Sequence, residues 1–144
     1  MARTRVLFVC IGNSCRSQMA EGFARIYGSD VLEAHSAGLY PASIIAPLTK
    51  KVMLEKNIDL SEHFPKGLEA IIPVTPDLVI NMSGQRMPVP PGTRIEEWKV
   101  LDPIGLSEDV FRQVAGEIEQ RVMRLVLSLR APQRSSKPTV ARSI

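Results

Sequence analysis

Residues 5–9, RVLFV, run straight into CIGNSCRS at residues 10–17, and the positions that follow place Met19, Phe23 and Ile26/Tyr27 at helical spacing, with Gly28 as a stop. No other feature restricts the fold as much. A strand that lacks alternating polar positions has to be covered on both faces, which is the habit of parallel sheets. A parallel sheet needs crossover connections, and strands alternating with helices supply them. The expected class is α/β, and in such sheets ligands bind beyond the carboxyl ends of the strands.

The remaining elements keep the same rhythm. Residues 31–36 read as a short second strand, and Pro47 opens a second helix to residue 56 with Val52, Leu54 and Ile58 as its apolar positions. Residues 77–82, DLVINM, form a third buried strand and residues 94–100 a weaker fourth. Ser107 caps a long last helix whose first turn holds Glu108 and Asp109. Phe111, Val114, Ile118, Val122, Leu125 and Leu129 make its apolar stripe, while MPVPPG at residues 87–92 is a loop.

The 144 residues suit one domain, assigned to residues 1–130, followed by a basic tail at 131–144. Lys and Arg total 18 against 15 Asp and Glu, but Arg134, Lys137 and Arg142 lie in the acid-free tail, so the domain is neutral at 15 (18 − 3) against 15. Such a tail reads as a disordered, solvated extension rather than a nucleic-acid or membrane contact. An aromatic content of 5% argues further against base stacking. No apolar run approaches the ~18 residues of a membrane span, and the run from Val6 to Ile11 is too short for a signal-peptide core. Two cysteines, Cys10 and Cys15, make no secreted disulfide framework, so a reducing, cytoplasmic setting is the expectation.

The eight residues from Cys10 to Ser17 bring together a nucleophile, a Gly-Asn turn, a guanidinium and a helix N-terminus. The backbone N–H groups of Ile11, Gly12, Asn13, Ser14, Cys15, Arg16 and Ser17 can converge on one point, where the helix dipole adds positive potential. Gly12 and Asn13 are the residues able to take the positive-φ conformations such a ring requires. Arg16 offers two parallel hydrogen bonds to a tetrahedral oxyanion. A cysteine beneath that anion site has amides and a guanidinium around it that favour the thiolate. The loop thus offers a thiolate in line with a bound oxyanion. Neither a GxxxxGKS/T nor a GxGxxG pattern is present, so nucleotide and dinucleotide binding lack support. Cys-x4-Cys has no partner cluster, and the only histidines, His35 and His63, read as surface or structural residues, so no zinc site is assigned.

Further motifs agree with this loop: Ser17-Gln-Met-Ala-Glu21 opens the helix, Ser36-Ala37-Gly38 follows the second strand, and Trp98-Lys-Val-Leu-Asp102-Pro103 precedes the last helix. With CIGNSCRS they resemble the low-molecular-weight protein-tyrosine phosphatases and the arsenate reductases that share their fold, over residues 3–129. The resemblance implies a four-stranded parallel sheet with helices on both faces and a phosphate-binding loop after the first strand. It also implies Cys10 as nucleophile, Arg16 as the oxyanion clamp, and Ser17 as the hydroxyl that stabilises the thiolate. Asn13 with Ser36 would hold the loop's shape, and Asp102 would be the general acid that protonates the leaving oxygen and later deprotonates water. Cys15 is the expected partner of Cys10 in a protective disulfide. Some reductases of this kind bind a potassium ion near residues matching Asn13, Glu21 and Ser36; no metal and no cofactor is assigned to this chain.

The two enzyme branches need different equipment. Phosphomonoester hydrolysis through a phosphocysteine needs the loop, Arg16 and an acid. Arsenate reduction needs the same loop and further thiols. The thioredoxin-coupled reductases carry two more cysteines after the third strand, where this chain reads NMSGQRMP at residues 81–88, so an internal three-cysteine relay is impossible. Phosphatases often place aromatic residues after Asp-Pro; here Ile104 and Gly105 follow, and Tyr40 is the nearby candidate for an aromatic wall. Residues 36–61 and 97–103 look closer to the reductases. The leading expectation is a hydrolase of the tyrosine-phosphatase type acting on a phosphotyrosine-type or small oxyanion substrate. The alternatives are arsenate reduction with an external small thiol or glutaredoxin-like donor, and a non-enzymatic oxyanion-binding regulatory module.

Overall fold

The computed structural model describes residues 3–131. Beyond Ala131 the basic tail lies outside the described residues. Four strands, β1 (Thr4–Cys10), β2 (Leu32–Gly38), β3 (Leu78–Asn81) and β4 (Arg94–Glu97), alternate with the helices α1 (Arg16–Gly28), α2 (Pro47–Glu55) and α3 (Glu108–Arg130). All pairings are parallel and the strand order is β2-β1-β3-β4. The β1 strand is therefore bonded along both edges, with Val6 opposite Ala34 on one side and Leu78 on the other.

Side chains alternate along β1, so Val6, Phe8 and Cys10 face one layer while Leu7 and Val9 face the other. The first layer holds all three α-helices: Met19 and Phe23 of α1, Met53 of α2, and Phe111, Ile118 and Val122 of α3 are buried with Val6 and Phe8. Over Leu7, Val9 and Val79, the second layer packs Leu68 and Val74 from two 3₁₀ turns (Leu68–Ala70 and Ile72–Val74), with Met87 and Val89 of the Pro-rich loop. Both faces carry helical segments as expected, though unequally. Pro73 and Pro76 lack the N–H an α-helix would need and hold that segment to short turns.

Local details refine the sequence reading. Ser107 is extended and its Oγ accepts the Val110 N–H at 3.3 Å, capping α3 as expected. Phe111, Val114, Ile118 and Val122 are buried, but the stripe then passes to Val126, with Leu125 and Leu129 only partly buried. A strict register drifts around a 3.6-residue helix, which moves the buried face forward by one position. In α2 Met53 takes the core position and Leu54 is exposed. Gly28 does more than end α1, because a Cβ there would meet Val126 Cγ2 at 2.5 Å; its absence lets α1 lie close against α3. No helix among the described residues is long and apolar enough to cross a membrane.

The β1–α1–β2 connection lies on the helical face, and the chain then crosses beneath β1 toward β3 by way of the 3₁₀ turns. The connections at the carboxyl ends of β1 and β3 thus diverge, opening a crevice there. The loop that begins at Cys10 fills it.

Candidate active site

The loop is shaped from outside by a second segment. Leu39, Tyr40, Ala42 and Ala46 donate their N–H groups to the carbonyls of Cys10, Ile11, Gly12 and Ser14 at 2.8–3.1 Å. With its carbonyls turned outward, the loop is free to present its amides inward, as an anion requires. Gly38 makes this approach possible: a Cβ there would lie 2.7 Å from Asn13 N, 2.8 Å from Gly12 C and 2.9 Å from Ile11 O. The expectation for Gly12 and Asn13 divides. Asn13 takes φ 52°, but Gly12 does not have positive φ, and a Cβ on it would make only ordinary contacts of 3.5 Å and more.

Asn13 holds its conformation with every hydrogen-bonding position of its side chain. Nδ2 donates to Ser17 Oγ at 2.7 Å and Ser36 Oγ at 3.0 Å, while Oδ1 accepts from Gln18 Nε2 at 3.0 Å and the Lys66 N–H at 2.9 Å. Because Asn13 donates into Ser17 Oγ, the hydroxyl proton of Ser17 is available for Cys10 Sγ, 2.9 Å away. The Ser17 N–H, in the first turn of α1, also donates to that sulfur at 3.4 Å. Both donors of one residue therefore converge on Cys10, at the positive end of a helix.

Arg16 is buried and its plane is clamped. Nη1 donates to Met82 O at 2.6 Å and Val100 O at 3.0 Å, which uses both of its hydrogens. The Nε–Nη2 edge remains for a bidentate partner, the geometry that suits a tetrahedral oxyanion. Asp102 Oδ2 lies 3.5 Å from Arg16 Nη2, and Asp102 Oδ1 accepts the Ile104 N–H at 3.2 Å, fixing the carboxyl at the mouth. Cys10, Ile11, Gly12, Ser14, Cys15, Arg16, Asp102 and Ile104 line a pocket of about 180 Å³. Of the other residues predicted at the site, Asn13, Ser17 and Ser36 lie buried behind the loop. Tyr40 is exposed and does not line the pocket, so the expected aromatic wall is missing from it.

Cys15 is buried, and burial pushes its thiol up to about 12. Its sulfur is thus held as a thiol in the resting protein. Three contributors were not singled out as supports of the loop: Gly38, Gln18 and His63. Gln18 reaches Asn13 with its amide nitrogen and meets His63 Nδ1 with its oxygen at 2.9 Å. Their only signal was position, one residue past CIGNSCRS for Gln18 and the Ser-Ala-Gly motif for Gly38. Nothing local marked His63, 45 residues from its partner.

The buried Glu21 carboxylate receives the Ser36 hydroxyl and Arg25, each at 2.5 Å, and Lys66 Nζ lies 4.0 Å away. Two cations of the chain itself face the carboxylate, and Asn13 Oδ1 already accepts two hydrogen bonds. These residues do not fit a potassium ion. Among the described residues, no group of three or more His, Cys, Asp or Glu is arranged to hold a metal.

The same fold recurs among known proteins. A glutaredoxin arsenate reductase of Synechocystis is 37% identical over 129 residues, covering 87% of this chain and 98% of its own. A solved arsenate reductase in the phosphate-binding state has a TM-score of 0.78 at 37% identity, covering 88% of this chain and 98% of its own. A thioredoxin-dependent arsenate reductase of Corynebacterium glutamicum has a TM-score of 0.74 at 32% identity, covering 88% of this chain and 62% of its own. The family model for low molecular weight phosphotyrosine protein phosphatase matches residues 5–135. That match runs from β1 through α3, and this chain belongs to the low-molecular-weight phosphotyrosine protein phosphatase family.

Proposed function

We propose that this protein is an arsenate reductase that takes its electrons from an external thiol donor. The observation that carries the reading is the likeness, over nearly their whole length, to proteins named arsenate reductases. That likeness favours the alternative over hydrolysis, the leading expectation from the residues alone. A pocket of about 180 Å³ without an aromatic wall supports it, since the space suits a tetrahedral oxyanion better than a phenyl ester.

In this reading the loop amides and the Nε–Nη2 edge of Arg16 hold arsenate over Cys10. The Cys10 thiolate attacks arsenic, an As–S bond forms, and the departing oxygen leaves as water with a proton from Asp102. A donor thiolate then attacks the Cys10 sulfur. The S–As bond breaks with its electron pair going to arsenic, which leaves as arsenite, and Cys10 is left in a disulfide that a second thiol reduces. One arsenate and two thiols yield one arsenite, one disulfide and one water.

Hydrolysis of a phosphomonoester stands as the second reading, favoured by the family description and by a loop, clamp and acid that need no further thiol. Assaying one preparation for both reactions tests the two together. Arsenite formation that requires thiol and Cys10 supports the reductase. Ester turnover without arsenite formation overturns it, and neither activity leaves an oxyanion-binding module.

A further inference from the structure

A reductase of this kind must receive electrons at a cysteine sulfur, and this chain has only two cysteines, both buried. No surface thiol is present to relay electrons inward, so the donor has to enter the pocket mouth and meet Cys10 directly. Two segments flank that mouth. Residues 39–46 are hydrogen-bonded along the loop, and residues 101–106 carry Asp102. Tyr40, Ile44, Leu101, Ile104 and Leu106 on these segments are 46–68% exposed, five of the ten large hydrophobic side chains exposed among the described residues. In a chain that is 23% charged, residues 36–49 have no charged side chain and residues 100–106 have only Asp102, which faces Arg16. Of the five apolar residues only Ile104 lines the pocket, so a bound oxyanion leaves the rest of the collar untouched. Beyond Leu101 the character changes: a groove of about 520 Å³ that shares Arg16 with the pocket is lined by Glu97 and Lys99 and marks the polar edge of the apolar surface.

Resting on the reductase reading, we infer that this apolar collar docks a protein dithiol, of the thioredoxin or glutaredoxin kind, and guides its reactive cysteine to Cys10. A small anionic thiol is a poor occupant. The guanidinium of Arg16 is engaged by the oxyanion, Asp102 repels a second anion, and the collar offers no cation of its own. Exposed apolar side chains on two nearly uncharged segments beside a reactive sulfur are what a protein face covers. The chemistry closes with that partner. Its first thiolate forms an S–S bond to Cys10 as the S–As bond breaks and arsenic takes the electron pair. Its second thiolate then attacks the first, freeing the Cys10 thiolate and leaving the donor as its own disulfide.

Ile44→Glu and Leu106→Glu test this, since both side chains are exposed and neither lines the pocket. Arsenite formation by the full chain is measured with dithiothreitol, with glutathione, and with thioredoxin or glutaredoxin kept reduced by its own system. The expected result is saturation by a protein donor whose KM rises at least about 10-fold in either variant, while the dithiothreitol rate stays within about two-fold of wild type. An unchanged KM overturns the docking surface, as does wild-type turnover on glutathione that neither protein accelerates, or a dithiothreitol rate that falls in parallel. Absence of arsenite with every thiol overturns the reductase reading itself, and the docking surface with it.

Discussion

At Gly38 a single methyl group should displace the whole loop. Built there, it meets three backbone atoms at 2.7, 2.8 and 2.9 Å, none of which can rotate away. Restoring the nearest contact to an ordinary 3.4 Å takes a shift of about 0.7 Å (3.4 − 2.7). Neither side yields readily. The loop carbonyls are bonded to residues 39–46 and Asn13 is held by four hydrogen bonds, while Gly38 is paired with Cys10 and bridged to Gly67. Overpacking of this kind costs about 1–3 kcal/mol, which lowers the Tm of a domain this size by about 3–10 °C. The effect on turnover is larger, because misplacing reacting groups by ~1 Å costs on the order of 10²-fold. Thermal unfolding and dithiothreitol-supported turnover of Gly38→Ala measure the two effects separately. Gly116→Ala is the control: nothing lies within 4 Å of its Cβ, so that variant should gain about 0.5–1 kcal/mol with turnover unchanged. Wild-type turnover in Gly38→Ala, or a loss no greater than its unfolded fraction, refutes the reasoning.

Arg16→Lys should abolish turnover while the protein stays folded, because an ammonium cannot both reach the Met82 and Val100 carbonyls and offer a fork to the oxyanion; substantial activity contradicts that. Asp102→Asn should slow arsenate reduction by ~10²–10⁴ but affect an activated aryl phosphate much less, since its leaving oxygen hardly needs a proton; equal losses remove the acid role. Peroxide should inactivate the wild type reversibly, with Cys15→Ala recovering less in dithiothreitol as sulfenic acid proceeds to sulfinic acid. Equal recovery and no Cys10–Cys15 crosslink by mass spectrometry leave Cys15 as a core residue. Burial holds the His63 pKa below 6.5, so the unfolded chain takes up that proton first. This contribution to stability is intact above pH 6.5 and lost as pH falls; His63→Gln should flatten that part of the stability profile, and an unchanged slope refutes it.

The sequence carried the fold most clearly where local pattern and tertiary demand agree. β1 is apolar on both faces and sits centrally, and Ser107 caps the helix it precedes. Cys10, Arg16 and Asp102 were legible because their motifs are compact, and they line one pocket. What could not be read depends on approach between distant segments. Gly38 matters through the space it leaves for Asn13, and Gln18 through a histidine on another element. Leu54 and Met53 exchanged roles because adjacent apolar residues in a short helix do not say which one faces inward. The residues alone did not separate a phosphomonoester from arsenate, for a chemical reason. A loop that receives phosphate receives arsenate in the same way, and in the reductase reading the electron donor lies outside the chain.

The most direct test of the account is the stoichiometry of a single turnover. Reduced protein is mixed with arsenate and excess dithiothreitol under anaerobic conditions, and arsenite and oxidised thiol are quantified over time for wild type and Cys10→Ser. The wild type should form one arsenite for each disulfide, and Cys10→Ser no arsenite above background. Arsenite formed equally by both proteins, or none from a wild type that still hydrolyses an aryl phosphate, contradicts it.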